Sequence, residues 1–244
     1  MTQYQPQGFS MLPTAVKHLL IINFLSFFAY YVLARQGICD LNYILGLWSV
    51  NSGHFRLWQP ISYMFMHANF THVFFNMFSL WMFGTAMENF WGMRRFLIYY
   101  FACGIGAGLL YLLVPGFHVT VGASAAVYGI LLAFGMTFPK DYVYVFLWML
   151  IIIAASVVLQ GTPLGNFLDD YSLIIFLIIF WFGSRTGKGM VRIQNRWFII
   201  GMIAIELFMG LFIVDGVAHF AHLGGMLIGF LLILYWKKHP FSRF

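Results

Sequence analysis

Residues 122–138 read Gly-Ala-Ser-Ala-Ala-Val-Tyr-Gly-Ile-Leu-Leu-Ala-Phe-Gly-Met-Thr-Phe, seventeen residues without Asp, Glu, Lys, Arg or His. A helix that crosses a bilayer needs about 20 mostly apolar residues, because hydrocarbon offers no water to an open backbone. This stretch is therefore expected as a membrane span. Windows of the same kind recur at 17–34, 69–90, 94–114, 143–160, 170–183, 197–214 and 217–236. The whole chain agrees: 62% of its 244 residues are hydrophobic and 8% charged, with a mean hydropathy of +0.85. A soluble domain carries about 25% charged residues. A soluble globule, a disordered chain and a disulfide scaffold are excluded, the last because Cys39 and Cys103 are the only cysteines. The expected fold class is all-α, a polytopic membrane helix bundle forming a single membrane domain.

The net charge of +6 predicts no nucleic-acid partner, since no Lys/Arg run exceeds two and the basic residues fall between apolar stretches. Residues 1–10 are polar without a charge cluster, and no small-residue cleavage site follows, so the first apolar stretch is expected to stay as a helix. With the N-terminus in the cytoplasm and all eight windows spanning, the inside holds Lys17, Arg94, Arg95, Lys140, Arg185, Lys188, Arg192, Arg196, Lys237, Lys238 and Arg243. The outside holds Arg35 and Arg56. Eleven against two is a strong inside bias, and it also places the C-terminus in the cytoplasm. The pair 143–160 and 170–183 is expected as a hydrophobic hairpin. Segment 35–68, rich in Trp, Tyr and Gly, is expected as an interfacial stretch with short amphipathic helices.

Polar side chains inside spans are costly, so each is a functional candidate by default. They are His72, Asn76, Ser124, Glu206, His219 and His222, with Glu88 near a span end. His72 and Asn76 are four apart and share a helix face; a structural pair bridging two helices is the plain alternative. Ser124 opens its span after Gly122, where first-turn N–H groups are available to an anion. In most membrane helices a Ser merely bonds its own backbone. His222 precedes Gly225 and Gly229, a small-xxx-small step on its own face that lets another backbone approach.

Together these residues form a set. Cutting an amide needs a nucleophile, a base and donors for the oxyanion. Ser124 suits the first role and His222 the second. His72, Asn76 and the Ser124 backbone N–H suit the third. No carboxylate is evident beside His222, although Asp215 lies one loop away, so a Ser/His dyad oriented by packing is expected. Tyr128, one turn after Ser124, is placed to stack on the imidazole. Glu206 is expected to pair, uncharged, with a neighbouring helix. No His-Glu-x-x-His zinc helix and no intramembrane aspartate pair is present. A metal held by His67, His72, His219 and His222 would lack an acidic ligand, so neither metal nor cofactor is expected.

With these residues the chain resembles the rhomboid intramembrane serine proteases. The resemblance covers residues 17–138 and 197–236. It rests on Tyr-Met-Phe-Met-His-Ala-Asn-Phe-Thr-His-Val-Phe-Phe-Asn (63–76), on Gly-Ala-Ser (122–124), and on Ala-His-Leu-Gly-Gly (221–225) with Gly229. It implies a six-helix core with an outward-opening site, Ser124 as nucleophile, His222 as base, and His72 and Asn76 at the oxyanion hole. It also implies a structural role for Glu88 and transmembrane proteins as substrates. Separately, the lack of an extended soluble domain or a targeting peptide in the sequence favours a bacterial inner membrane. Three departures stand out. Ala125 replaces the usual Gly and is expected to crowd the oxyanion hole or the helix packing. Trp58-Gln59 replaces Trp-Arg and is expected to loosen the first loop. Residues 139–196 insert the hydrophobic hairpin and a basic linker between core helices 4 and 5. The alternative is a catalytically inactive rhomboid-like factor that binds membrane proteins. Such proteins typically lose the Ser or the His, and both are kept here. A transporter would need an inverted repeat, and the halves of the sequence do not resemble each other.

Overall fold

The computed structural model describes residues 10–113, 119–146, 159, 162–186, 190–212 and 218–238. They form two compact units, one of Met1–Thr137 with Ile199–Phe244, the other of Phe138–Phe198.

The first unit is a helix bundle. Helix α1 (Thr14–Arg35) starts after Pro13, whose fixed φ suits a helix entry. The loop after it carries α2 (Leu41–Leu45), strand β1 (Leu47–Trp48) and α3 (Gln59–Ser62). Helix α4 (Phe70–Ser79) runs through a π turn at Leu80–Gly84 into α5 (Thr85–Trp91). The expected span at 69–90 is thus one rod with an irregular middle. Helix α6 (Met93–Tyr111), strand β2 (Val119–Thr120) and α7 (Ser124–Thr137) follow. After the second unit come α10 (Asn195–Phe212), assigned to the bundle from Ile199, and α11 (His219–Lys238). Among the described residues, α1, α10 and α11 are long and apolar enough to cross a membrane, and α7 and Ser172–Trp181 are shorter apolar helices.

Helices α6, α7 and α11 pack together at the centre. Their contact is set by small residues: a Cβ built at Gly225 of α11 would collide with the Ala125 carbonyl of α7. Overpacking such a contact costs roughly 1–3 kcal/mol. Gly225→Leu is accordingly expected to lower the unfolding midpoint in detergent and to push α11 off α7.

Glu88 anchors α1. Its two carboxyl oxygens accept the backbone N–H groups of Ala15 and Val16, each at 2.8 Å. These are first-turn donors with no partner inside their own helix. Glu88 is therefore structural, as the resemblance implied. Glu88→Ala leaves two buried donors unsatisfied, at about 1–3 kcal/mol each, and thermal unfolding in detergent should show the loss.

The first loop is not loosened at Gln59. That side chain is buried and makes four hydrogen bonds. Its Oε1 accepts from the backbone N–H of Trp48 (3.3 Å) and Arg56 (3.1 Å), and its Nε2 donates to the carbonyls of Ile44 (3.3 Å) and His54 (3.1 Å). An amide carries both donors and an acceptor, so one neutral side chain ties three parts of the loop together. An Arg has no acceptor and could not make the two bonds from Trp48 and Arg56. Strand β1 pairs antiparallel with β2, Leu47 opposite Thr120 and Trp48 opposite Val119. The loop is thereby tied to the chain just before Gly122.

In the second unit, β3 (Tyr142–Phe146) pairs antiparallel with β4 (Met190–Gln194). Helices α8 (Pro163–Asp170) and α9 (Ser172–Thr186) lie between them in sequence. The expected helical window at 143–160 is corrected over its first four residues. Tyr-Val-Tyr-Val-Phe is β-branched and aromatic throughout, a composition that favours a pleated strand over a helix. The rest of that window lies mostly outside the described residues.

Candidate active site

Three helix N-termini meet at one end of the bundle. Helix α7 begins at Ser124, two residues after Gly122, whose φ of 132° is one that L side chains rarely adopt. A Cβ at Gly122 would lie 2.9 Å from both Cε1 and Nε2 of His72. The glycine therefore lets the His72 ring sit against the turn that presents Ser124. Helix α4 starts with Asn69, whose side chain accepts the His72 backbone N–H at 2.8 Å, an N-cap that fixes His72 in the first turn.

The His72 tautomer follows from its neighbours. The Ala68 backbone N–H points to Nδ1 at 3.5 Å, a long bond that makes Nδ1 the acceptor and leaves the ring proton on Nε2, the atom over Gly122. Asn76, one turn on, donates from Nδ2 to the His72 carbonyl at 3.0 Å. An amide nitrogen has two hydrogens, so this bond positions Asn76 without consuming it.

His222 lies in the first turn of α11. Its Nε2 is 2.8 Å from Ser124 Oγ. The ring of Tyr128 stacks on it with centroids 4.3 Å apart and planes 8° off parallel, as its position one turn after Ser124 suggested. His222 is 7% exposed, so the imidazole is held on a face and at an edge.

The structure overturns the expectation that no carboxylate stands beside His222. Glu206 Oε2 lies 3.0 Å from His222 Nδ1 and 2.8 Å from His219 Nδ1. Two imidazole nitrogens converging on one carboxyl oxygen suit the ionised form, which only accepts, rather than the uncharged pairing expected. Asp215 lies outside the described residues. Glu206 sits six residues before the end of α10, and His222 three residues after the start of α11. Two antiparallel helices joined by a short connection bring such positions to similar depth. The available signal was charge: Glu206 is the one carboxylate well inside a span, and an intramembrane carboxylate is a site candidate until a partner is found. Which residue it would meet depends on helix rotation, which a near-uniformly apolar sequence does not encode.

Glu206, His219 and His222 also present one ligand atom each, all within 4.8 Å of one another. The acidic ligand that the sequence seemed to lack for a metal is thus present, while His67 and His72 are not part of the group and stack edge-on to each other at 5.0 Å. The direct bonds of 2.8 and 3.0 Å account for the cluster as a hydrogen-bonded carboxylate–imidazole set.

Ala125 does not crowd the site. Its side chain is buried with Ala107 of α6 and Ala221 of α11, with Tyr111 and Ala218 packed around them. The extra methyl is matched by small residues on both facing helices.

Known proteins resemble parts of this chain. The family model described as the rhomboid domain matches residues 54–169, which include His72, Asn76 and Ser124 but not Glu206 or His222. A putative rhomboid protease of Bacillus subtilis, YdcA, is 39% identical over 74 residues, covering 30% of this chain and 37% of that protein. The rhomboid protease GluP of the same organism is 36% identical over 74 residues, covering 30% and 14%. The chloroplastic rhomboid-like protein 11 of Arabidopsis thaliana is 28% identical over 189 residues, covering 77% and 55%. The chain therefore spans about half or less of the length of these curated relatives.

Proposed function

The chain is a rhomboid-family, multi-pass membrane protein, and on that premise we propose that it is an intramembrane serine endopeptidase working through Ser124, His222 and Glu206. The observation that carries the reading is the 2.8 Å contact between Ser124 Oγ and His222 Nε2, across 98 residues of sequence. A nucleophile and a base within hydrogen-bond reach, with the base oriented by a third group, is the arrangement nucleophilic catalysis requires.

The roles follow from the atoms. Nε2 of His222 faces the hydroxyl as acceptor, so the ring proton sits on Nδ1 and is donated to Glu206. When Ser124 Oγ attacks the scissile carbonyl, its proton passes to Nε2. The imidazolium then lies against a carboxylate that already accepts from it. The carbonyl oxygen gains charge, and the donors assigned to receive it are His72 Nε2–H, the second Asn76 amide hydrogen and the Ser124 backbone N–H, groups present before the reaction starts. His222 returns its proton to the leaving amine, and the acyl group on Ser124 is released by a water that His222 activates in turn.

Depth supports a membrane substrate. Helix α7 has 14 residues and is about 21 Å long, against about 30 Å of hydrocarbon. A bilayer that covers its longer neighbours buries Ser124 below the interface, in the half facing away from the Lys- and Arg-rich connections. The expected substrates are single-span proteins cut where Gly or Ala weakens the helix. The charge bias places both termini in the cytoplasm. The packing of Ala125 lends no support to a non-catalytic binding factor.

The direct test uses purified protein in detergent or vesicles. A fluorophosphonate probe should attach to Ser124, and the parent should cut a reporter whose span contains Gly or Ala. Substrate binding without turnover and without labelling would favour the binding factor instead.

A further inference from the structure

A second site lies at the far end of the same bundle. The end of α5, the start of α6, and the ends of α7 and α11 enclose a cavity of about 300 Å³ whose lining includes Trp91, Arg95, Thr137, Ile233, Trp236 and Lys237. These are the opposite ends of the helices that present Ser124 and His222. The Arg95 guanidinium carbon lies 4.3 Å from the Trp236 ring centroid and 5.6 Å from that of Trp91. The two indoles meet edge to face at 5.6 Å.

Cation–π contact holds the guanidinium plane but leaves its N–H donors to be satisfied elsewhere. Nε of Arg95 is buried and has no hydrogen-bond partner among the described residues. No carboxylate pairs with Arg95 there either; Glu88, nearest in sequence, is committed to Ala15 and Val16. The cavity thus combines an unpartnered buried donor, a second cation at Lys237, a hydroxyl at Thr137, and walls of indole and alkyl.

We propose that this cavity binds the phosphodiester headgroup of an anionic phospholipid. The guanidinium fork matches phosphate oxygens, Lys237 adds a second positive charge, and paired Trp residues mark the depth at which headgroups lie. A free phosphate would use the cations but not the apolar wall of Ile233 and the indoles. Basic pockets between membrane helices recognise headgroups on these grounds. The inference rests on membrane residence and is independent of the proposed proteolysis.

The test follows the unfolding midpoint of the purified full chain in vesicles of phosphatidylcholine alone and in an equimolar mixture with phosphatidylglycerol. A ligand that binds only the folded state raises the midpoint. Phosphatidylglycerol is expected to raise it in the parent. Arg95→Gln and Lys237→Gln should each weaken apparent lipid affinity roughly fivefold or more, with midpoints in pure phosphatidylcholine unchanged for Lys237→Gln. If Arg95→Gln fails to fold, the Lys237→Gln comparison decides alone. A shift of equal size in the variants, or no shift in the parent, overturns the site. An equal shift on adding inorganic phosphate to phosphatidylcholine vesicles assigns it to free phosphate and overturns the lipid.

Discussion

Ser124→Ala is expected to lower cleavage of a membrane reporter by about 10⁴–10⁶-fold and to abolish fluorophosphonate labelling. Loss of the nucleophile removes the acyl intermediate altogether. In soluble serine proteases such a loss leaves only what the oxyanion donors and binding supply. Because Ser124 is one small hydroxyl at a helix start and Ala has a high helix propensity, the variant should unfold at the parent's midpoint. The reading that pairs Ser124 with His222 fails if Ser124→Ala cuts as fast as the parent.

Glu206→Gln is expected to reduce kcat about 10²–10⁴-fold with KM changed little. The substitution keeps size and shape. It replaces a group that can only accept with an amide that can turn an N–H toward His222 Nδ1. That orientation stabilises the wrong imidazole tautomer, with its proton on the nitrogen that must accept from Ser124. It also removes the charge opposite the imidazolium. A tautomer defect of this kind costs about 10⁴ in a Ser-His-Asp triad. Combining Glu206→Gln with Ser124→Ala should be no worse than Ser124→Ala alone, because residues that act as a unit are not additive. A Glu206→Gln protein that cleaves at the parental rate would make the carboxylate a packing element. A proportional loss of kcat and unfolding midpoint would point the same way.

His219 shares Oε2 of Glu206 with His222, so the carboxylate is held from more than one side. Its position is set by the α11 start, whose His222 ring stacks on Tyr128 of α7, and not by α10 alone. The base is therefore oriented by a network spanning three helices, whereas the sequence alone suggested a dyad oriented by packing.

Much of this molecule is legible in one dimension. Hydrocarbon demands long uncharged helices, so windows such as 122–138 announce themselves by composition, and α1, α6, α7, α10 and α11 fall on expected windows. His72, Asn76, Ser124 and His222 were visible because a polar group within an apolar run has no cheap null state in a bilayer. The β3–β4 ribbon was less visible, since Tyr-Val-Tyr-Val-Phe alternates aromatic with β-branched residues and never polar with apolar. Hydropathy reads it as one more stretch of membrane, and only the partner strand at Met190–Gln194, 44 to 52 residues away in register, makes it a strand.

Sequence by itself determined that the chain lives in a membrane, which family it resembles, and which neutral polar side chains lie at helix starts. Tertiary structure alone decided what those side chains touch. It placed Glu206 on His222, turned Gln59 from a missing cation into the knot of the first loop, and gave the Ala125 methyl a pocket among Ala107 and Ala221. The reason is physical. Transfer from water to hydrocarbon depends on composition summed along a segment, which the sequence states directly. The rotation of one apolar helix against another depends on contacts of a few ångströms between residues far apart in the chain, and those exist only once the bundle has closed.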